Sequence, residues 1–239
     1  MSDEPASQNP ILILPSSAGY AGQMQDMMAE AYGCEPGDES FTADHFRRHQ
    51  ELFPEGQFIA VDQTTDRVVG FTVSMRMHFD PARPLLDYWW ASIGDGWLTT
   101  HNPDGDWMYG VESCVLPAYR GKGVGSRLMD ARFATLRHLN LRGMVAGGAI
   151  IDYGAVADHM TVEDYVQAVI AGQRFDTNLT KQLHKGFQPR GLIPNYCDDE
   201  TSRGCAVLIV WDNPDYWPAG REPAAAYPLP QRPLVPVYR

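Results

Sequence analysis

The chain has 239 residues, of which 44% are hydrophobic and 21% charged, and it carries a formal net charge of -11. That composition supplies enough apolar mass for a sizeable core and excludes disordered, collagen-like and coiled-coil chains. The acidity disfavours non-specific binding to nucleic acid or to an anionic membrane. An anionic ligand therefore needs a local cluster of positive charge and backbone N–H groups.

The opening MSDEPASQNP is acidic, and the apolar run behind it, residues 11–14, is far too short for a signal-peptide core or a membrane span. A cytoplasmic protein is expected. Cys34, Cys114, Cys197 and Cys205 lack CxxC spacing and read as reduced thiols, with no structural metal site. Residues 11–14 read as a strand. A helix follows over 17–32, with Ala21, Met24, Met28 and Ala31 at helical spacing and Gly33 as its stop. A second helix is expected over 42–52, opened by Thr42 and closed before Phe53-Pro54.

Residues 57–62 and 68–78 are β-branched and aromatic and are joined by a polar link, which predicts a hairpin. The stretch 79–106 is rich in Pro, Gly and Trp. Its tryptophan-rich part, 88–107, reads either as a core-covering loop or as the wall of an acceptor pocket, where Asp87, Asp95, Asp104 and Asp106 attract an ammonium group. A strand over 107–116 runs into Pro117-Ala118-Tyr119-Arg120-Gly121-Lys122-Gly123-Val124-Gly125-Ser126-Arg127 and then into an amphipathic helix. Its stripe is Val124, Leu128, Ala131, Thr135 and Leu139, widened by Met129, Phe133 and Leu136. Residues 144–146 form a buried strand broken by Gly147-Gly148. The stretch 150–177 reads as an insertion holding a helix capped by Thr161 and ended by Gly172. A short helix over 178–185 and strands over 187–193 and 205–211 complete the pattern. The seven prolines of 213–239 suggest an extended tail.

The chemistry concentrates in the Gly-rich turn. Small residues let successive N–H groups face one concavity at a helix N-terminus, and Arg120, Lys122 and Arg127 add full positive charges, a combination suited to a pyrophosphate. The Walker pattern GxxxxGK[ST] is absent, and a dinucleotide fingerprint fails where Ser126 replaces its third glycine. Read as [Gln/Arg]xxGx[Gly/Ala], Arg120, Gly123 and Gly125 satisfy every fixed position.

With these residues, the segment from Val115 to Gly125 resembles the coenzyme A signature of the GNAT acyltransferase superfamily, and the element order over residues 9–212 is similar to that family's plan. The stretches 143–148, 178–187 and 191–196 resemble GNAT modules fused to carbon-nitrogen hydrolases, although no attached hydrolase is expected here. The resemblance implies an α/β (α+β) three-layer fold. Its mixed, mostly antiparallel sheet would splay between the signature strand and the next one, with helices on both faces. Residues 1–212 would be a single domain and 213–239 a tail.

The resemblance also implies that acetyl-CoA is the acyl donor, used without a metal and without a covalent acyl-enzyme. Cys114, Val115, Arg120, Gly121, Lys122, Gly123, Val124, Gly125 and Ser126 would hold the coenzyme, with a backbone N–H near Val115 facing the thioester oxygen. Asn178 would either touch the pantetheine or cap its own helix, the cap being favoured. An attacking amine with a lysine-like pKa must lose a proton at a cost of about 4.6 kcal/mol at neutral pH. Glu112 lies two residues before Cys114 on the same strand face and is the first choice for base, against the alternative of a surface or salt-bridged carboxylate. The family's usual acid, a tyrosine, is replaced by Gln182. That leaves His184, Tyr153 or Tyr196 as donors, or no dedicated acid at all; His184 otherwise reads as a helix-end group and Tyr196 as a half-buried aromatic. His45 and His49 have the spacing of metal ligands, but Arg47 and Arg48 between them oppose a cation. The acceptor is expected to be a cationic amine, a small molecule ahead of a protein, and a homodimer is left open. A non-catalytic acyl-CoA-binding module is the alternative.

Overall fold

The computed structural model describes residues 10–33, 40–80 and 88–218; Cys34, Asp87 and the tail beyond 218 lie outside the described residues. The strands are β1 (Ile11–Pro15), β2 (Phe58–Asp62), β3 (Arg67–Met77), β4 (Trp107–Val115), β5 (Gly143–Ala149), β6 (Gln188–Ile193) and β7 (Ala206–Asp212). They form one sheet in the order β1-β2-β3-β4-β5-β7-β6. The β4/β5 pair is parallel, whereas β1/β2, β2/β3, β5/β7 and β6/β7 are antiparallel. The helices are α1 (Ala21–Tyr32), α2 (Ala43–Leu52), α3 (Trp89–Ser92), α4 (Val124–His138), α5 (Val162–Ile170) and α6 (Leu179–His184). The mixed, mostly antiparallel α/β fold expected from the sequence is thus present. The chain groups into two compact units. Among the described residues, one holds 10–33, 40–73 and 112–138, the other 74–80, 88–111 and 139–218, so β3 and β4 contribute residues to both.

In the first unit, the alternating side chains of β2 and β3 bury Phe58, Ile59, Phe71 and Val73. Helix α1 stops where Gly33 takes a left-handed conformation, φ 66°, and its N–H returns to the Ala29 carbonyl. Tyr32 is therefore the last residue of the helix. Thr42 caps α2 through a capping box in which its hydroxyl accepts from the His45 N–H while His45 Nδ1 accepts from the Thr42 N–H. His45 and His49 pack with Phe41 and Phe46 as one aromatic cluster, which is how their i, i+4 spacing is used. Helix α4 buries Val124, Leu128, Ala131, Thr135 and Leu136 as its stripe requires, together with Arg132, which the apolar pattern did not include.

In the second unit, β5 pairs with β7 from Gly143↔Asp212 to Ala149↔Ala206. Gly147-Gly148 therefore continue the strand instead of breaking it. The absent side chains leave room for other groups: a β-carbon at Gly147 would fall 2.2 Å from the Tyr196 ring, and one at Gly148 would fall 2.4 Å from Gln182 Oε1. On its other side, the register of β5 with β4 covers Met108↔Met144 and Tyr109↔Val145, short of the strand's full length. Among the described residues of the 79–106 stretch, which supplies α3, Trp89, Ile93 and Leu98 are buried, while Trp97 is exposed. Asp106 is engaged by Arg142 at 2.9 Å and by His78 at 3.1 Å, so it is committed to neighbours rather than held ready for an ammonium group. Thr161 caps α5 as expected, accepting from the Asp164 N–H at 3.2 Å.

Candidate active site

Strand β4 leads through a 3-10 turn, Pro117–Tyr119, into the Gly-rich loop. Its shape is set by side chains that the loop itself carries. Arg120 Nε donates back to the Val115 carbonyl at 3.0 Å. The Tyr119 hydroxyl donates to Asp62 Oδ2 at 2.8 Å, and Lys122 Nζ lies 5.1 Å from the Tyr119 ring centroid. Bonds from Thr64 and then from Tyr119 hold the Asp62 carboxyl below its ordinary pKa. Gly121 and Gly123 adopt φ 73° and 77°, a region that L side chains enter at a cost, and a β-carbon on either would meet nothing.

The first α4 bond across this junction is Arg127 N–H to the Gly123 carbonyl at 3.0 Å. Helix geometry then leaves the N–H groups of Val124, Gly125 and Ser126 without intrahelical acceptors. Gly121, Lys122, Gly123, Gly125 and Ser126 are exposed, while Val124 is buried. These residues fit a diphosphate: open backbone donors, a helix N-terminus and the cations Arg120 and Lys122. Arg127 departs from the sequence expectation. Its Nη1 donates to the Ile11 carbonyl at 2.9 Å, which ties α4 to β1.

At the other end of this β4 segment, Glu112 is half-buried. Its Oε1 accepts from the Ser113 N–H at 2.7 Å and from the Tyr32 hydroxyl at 3.1 Å. Burial raises the Glu112 pKa above the usual carboxylate value, opposed by these two bonds and by the Arg132 charge. Tyr32 also engages the Cys114 thiol, and burial of its hydroxyl, then the Glu112 and Cys114 charges, push its pKa well up. Glu112 and Cys114 thus meet the same phenol, as expected for side chains sharing a strand face.

Arg132 of α4 lies beneath them, 2% exposed. Its Nη2 donates to the Val73 carbonyl at 2.7 Å and to the Glu112 carbonyl, joining β3 and β4 through one guanidinium. Burial lowers its pKa to about 9. Arg132 binds the Glu112 backbone oxygen, and a phenol binds its half-buried side chain.

In the second unit, Tyr196 is 4% exposed, more buried than the sequence suggested, and its hydroxyl shares a 2.8 Å hydrogen bond with that of Tyr109. The Tyr196 carbonyl accepts from the Trp89 N–H, and the Trp89 indole donates to the Val111 carbonyl at 3.1 Å. Asn178 does not cap α6. Its Nδ2 donates to the Ala149 carbonyl at 2.9 Å, and the capping is done by Asp176, whose Oδ1 accepts from the Asn178 and Leu179 N–H groups at 2.9 and 2.7 Å. The carboxylate reaches both donors because it precedes the helix, whereas Asn178 is already helical in φ and ψ. Gln182 Oε1 is buried without a hydrogen-bond partner among the described residues. His184 is exposed at the end of α6, beside a groove that includes Phe175 and Arg174. The Tyr153 hydroxyl donates to the Met160 carbonyl at 3.2 Å, inside the 150–177 stretch. Sequence reasoning missed Tyr32, Arg132 and Asp176. The position of Tyr32 just before a helix-stopping glycine was the one local signal for any of them.

The family model for the acetyltransferase (GNAT) family matches residues 23–157, more than half of the chain. The chain belongs to the GNAT acetyltransferase family. Among curated relatives it is 40% identical over 187 residues to the probable hydrolase YhcX of Bacillus subtilis, a match covering 77% of this chain and 36% of that protein. The chain thus spans little more than a third of that relative, in keeping with the resemblance to hydrolase-linked GNAT modules. It is 30% identical over 182 residues to the uncharacterized N-acetyltransferase YkwB of the same organism, covering 76% of this chain and 79% of that one. Among solved structures, the GphF GNAT-like decarboxylase in complex with isobutyryl-CoA superposes with a TM-score of 0.68 at 22% identity, covering 84% of this chain and 99% of that one. Family membership supports acyl transfer in general terms. Among the described residues no helix is long and apolar enough to cross a membrane.

Proposed function

We propose that the protein is an acetyl-CoA-dependent N-acetyltransferase that transfers its acyl group to a primary amine by direct attack. The observation that carries this is the exposed turn of Gly121, Gly123, Gly125 and Ser126 at the start of α4, with the cations Arg120 and Lys122 in it, in a chain whose field otherwise repels anions. Cys114 and Val115 continue the same strand and are assigned to the coenzyme's acyl arm, and Asn178 to its amide groups. Glu112 takes the proton of the attacking ammonium, a role that suits a carboxyl held above its ordinary pKa. Tyr196 is assigned as proton donor to the leaving thiolate ahead of His184, because its hydroxyl is fixed by Tyr109 and lies against β5, whereas His184 stands exposed at a helix end. A small cationic amine is the expected acceptor, a lysine-bearing protein coming second. Residues 1–212 are taken as the catalytic domain with the 150–177 insertion and 213–239 as a tail. The protein acts in the cytoplasm without a metal, as a monomer or a homodimer.

Gln182 favours a second reading. It fills the acid position with an amide whose buried oxygen finds no donor, as in a module that retains coenzyme binding without turnover. Thiol release from acetyl-CoA, measured with a polyamine, an aminoglycoside and a lysine peptide, separates the two. Tight coenzyme binding without thiol release from any of them would favour the binding module. Turnover that loses its acidic limb in Glu112→Gln would support the base.

A further inference from the structure

We propose that Tyr32 is a positioning residue for the reaction base: as the last residue of α1 it donates its hydroxyl to Glu112 Oε1, fixes that carboxylate's orientation and sets the pH at which the base becomes competent. The inference rests on the assignment of Glu112 as base and extends it to a residue 80 positions away in the chain.

The geometry is specific. Gly33 ends α1 in a left-handed turn, so Tyr32 cannot be followed by another helical residue and stands at the helix end facing β4. The residue as a whole is 52% exposed even though its hydroxyl end is buried, so the position is not filled for the sake of core packing. A tyrosine half in solvent gains little from burial; its fixed contribution is the hydroxyl, bonded to Glu112 and Cys114.

The groups facing the Glu112 carboxyl can be named element by element. Tyr32 comes from α1, Cys114 and the Ser113 N–H from β4, and Arg132 from α4, whose Nη2 donates to the Val73 and Glu112 main-chain carbonyls. Tyr32 is therefore the one side-chain hydrogen-bond donor in this set that is aimed at the carboxylate oxygen. An O–H donated to a carboxylate favours the charged form, which opposes the burial that raises the Glu112 pKa. Without the phenol the carboxyl would remain protonated to higher pH, and a protonated carboxyl cannot accept a proton from an ammonium.

The test uses the full-length protein. Glu112 is titrated by its carboxyl 13C shift, assigned by difference against Glu112→Gln, in the wild type and in Tyr32→Phe, which keeps the ring. The midpoint is expected to rise by about one pH unit in Tyr32→Phe, the effect of one hydrogen bond to a charged group. The acidic limb of thiol release from acetyl-CoA with the amine panel should move by the same amount. Rates would then fall about tenfold below the limb and stay near wild type well above it. A purely structural role would lower rates at every pH without moving the midpoint, and that result would overturn the proposal. So would an unmoved midpoint with full activity. If Glu112→Gln keeps both its turnover and its acidic limb, the base assignment itself fails and the role of Tyr32 falls with it. If Glu112→Gln loses the limb while Tyr32→Phe leaves it in place, Tyr32 alone is refuted.

Discussion

Replacing Gly125 with alanine separates coenzyme binding from folding, because the structure predicts opposite signs for the two. A β-carbon at position 125 would have Val115 Cγ2 as its nearest neighbour at 3.8 Å, an ordinary contact, and Gly125 does not share the positive φ of Gly121 and Gly123. Alanine in the first turn of α4 should leave stability unchanged or raise it by up to about 1 kcal/mol, the difference in helix propensity. The added methyl nevertheless stands among the N–H groups of Val124, Gly125 and Ser126, which a diphosphate must approach to within hydrogen-bond distance. Losing one such charge-assisted bond at about 1.5–3 kcal/mol weakens binding roughly 10- to 100-fold. Calorimetric titration with coenzyme A, alongside a thermal melt, measures both quantities. The control is Gly123→Ala, which forces a left-handed backbone at about 1–2 kcal/mol and should lower the melting temperature as well. If Gly125→Ala melts normally and binds coenzyme A as tightly as the wild type, the diphosphate is not held at this turn.

Lys122→Ala should weaken coenzyme A about fivefold and flatten the salt dependence of binding. Arg127→Ala should cost stability through the lost Ile11 bond while changing coenzyme affinity far less, and the reverse ranking would contradict the assignments made from their partners. Asp176→Ala strands the Tyr165 hydroxyl and the Asp152, Asn178 and Leu179 N–H groups that now donate to a fully buried carboxylate. It should destabilise the protein by about 4 kcal/mol in urea unfolding; a loss below about 1 kcal/mol would mean that these groups find water instead. Glu112→Gln should raise the melting temperature at neutral pH. A carboxyl whose folded pKa lies above its ordinary 4.5 costs stability once both states are ionised, and that cost vanishes as pH falls below 4.5, so the two melting curves should converge in acid.

The elements that announce themselves in the sequence are those whose signal is local. The α4 stripe, the Thr161 cap, the Gly33 stop and the glycines of the turn before α4 each depend on residues within a few positions of one another, and all were legible. Gly147-Gly148 misled because glycine ordinarily interrupts a strand. Its use here, admitting the Tyr196 ring and the Gln182 amide against β5, depends on partners that lie 34 or more residues later. Arg132 was invisible for a related reason: an arginine on the edge of an apolar stripe reads as solvated until the carbonyls of Val73 and Glu112 are known to need its donors. Asn178 was expected to cap α6, yet the role went to Asp176, two residues earlier, where the chain is not yet helical.

The long-range contacts cluster around the proposed base, and this has a physical reason. Glu112 must stay ionisable while its pKa is raised, which requires burial opposed by a few fixed donors, and fixed donors near a strand come from other elements. Tyr32 arrives from α1, Arg132 from α4, and only the Ser113 N–H is sequence-local. Such an arrangement costs stability, as the expected gain in Glu112→Gln implies. A fold selected for stability alone would place at position 112 a side chain that needs no such partners. That the chain retains a carboxyl there, with a phenol from one helix and a guanidinium from another arranged around it, is what separates this strand position from the ordinary polar residues of β4.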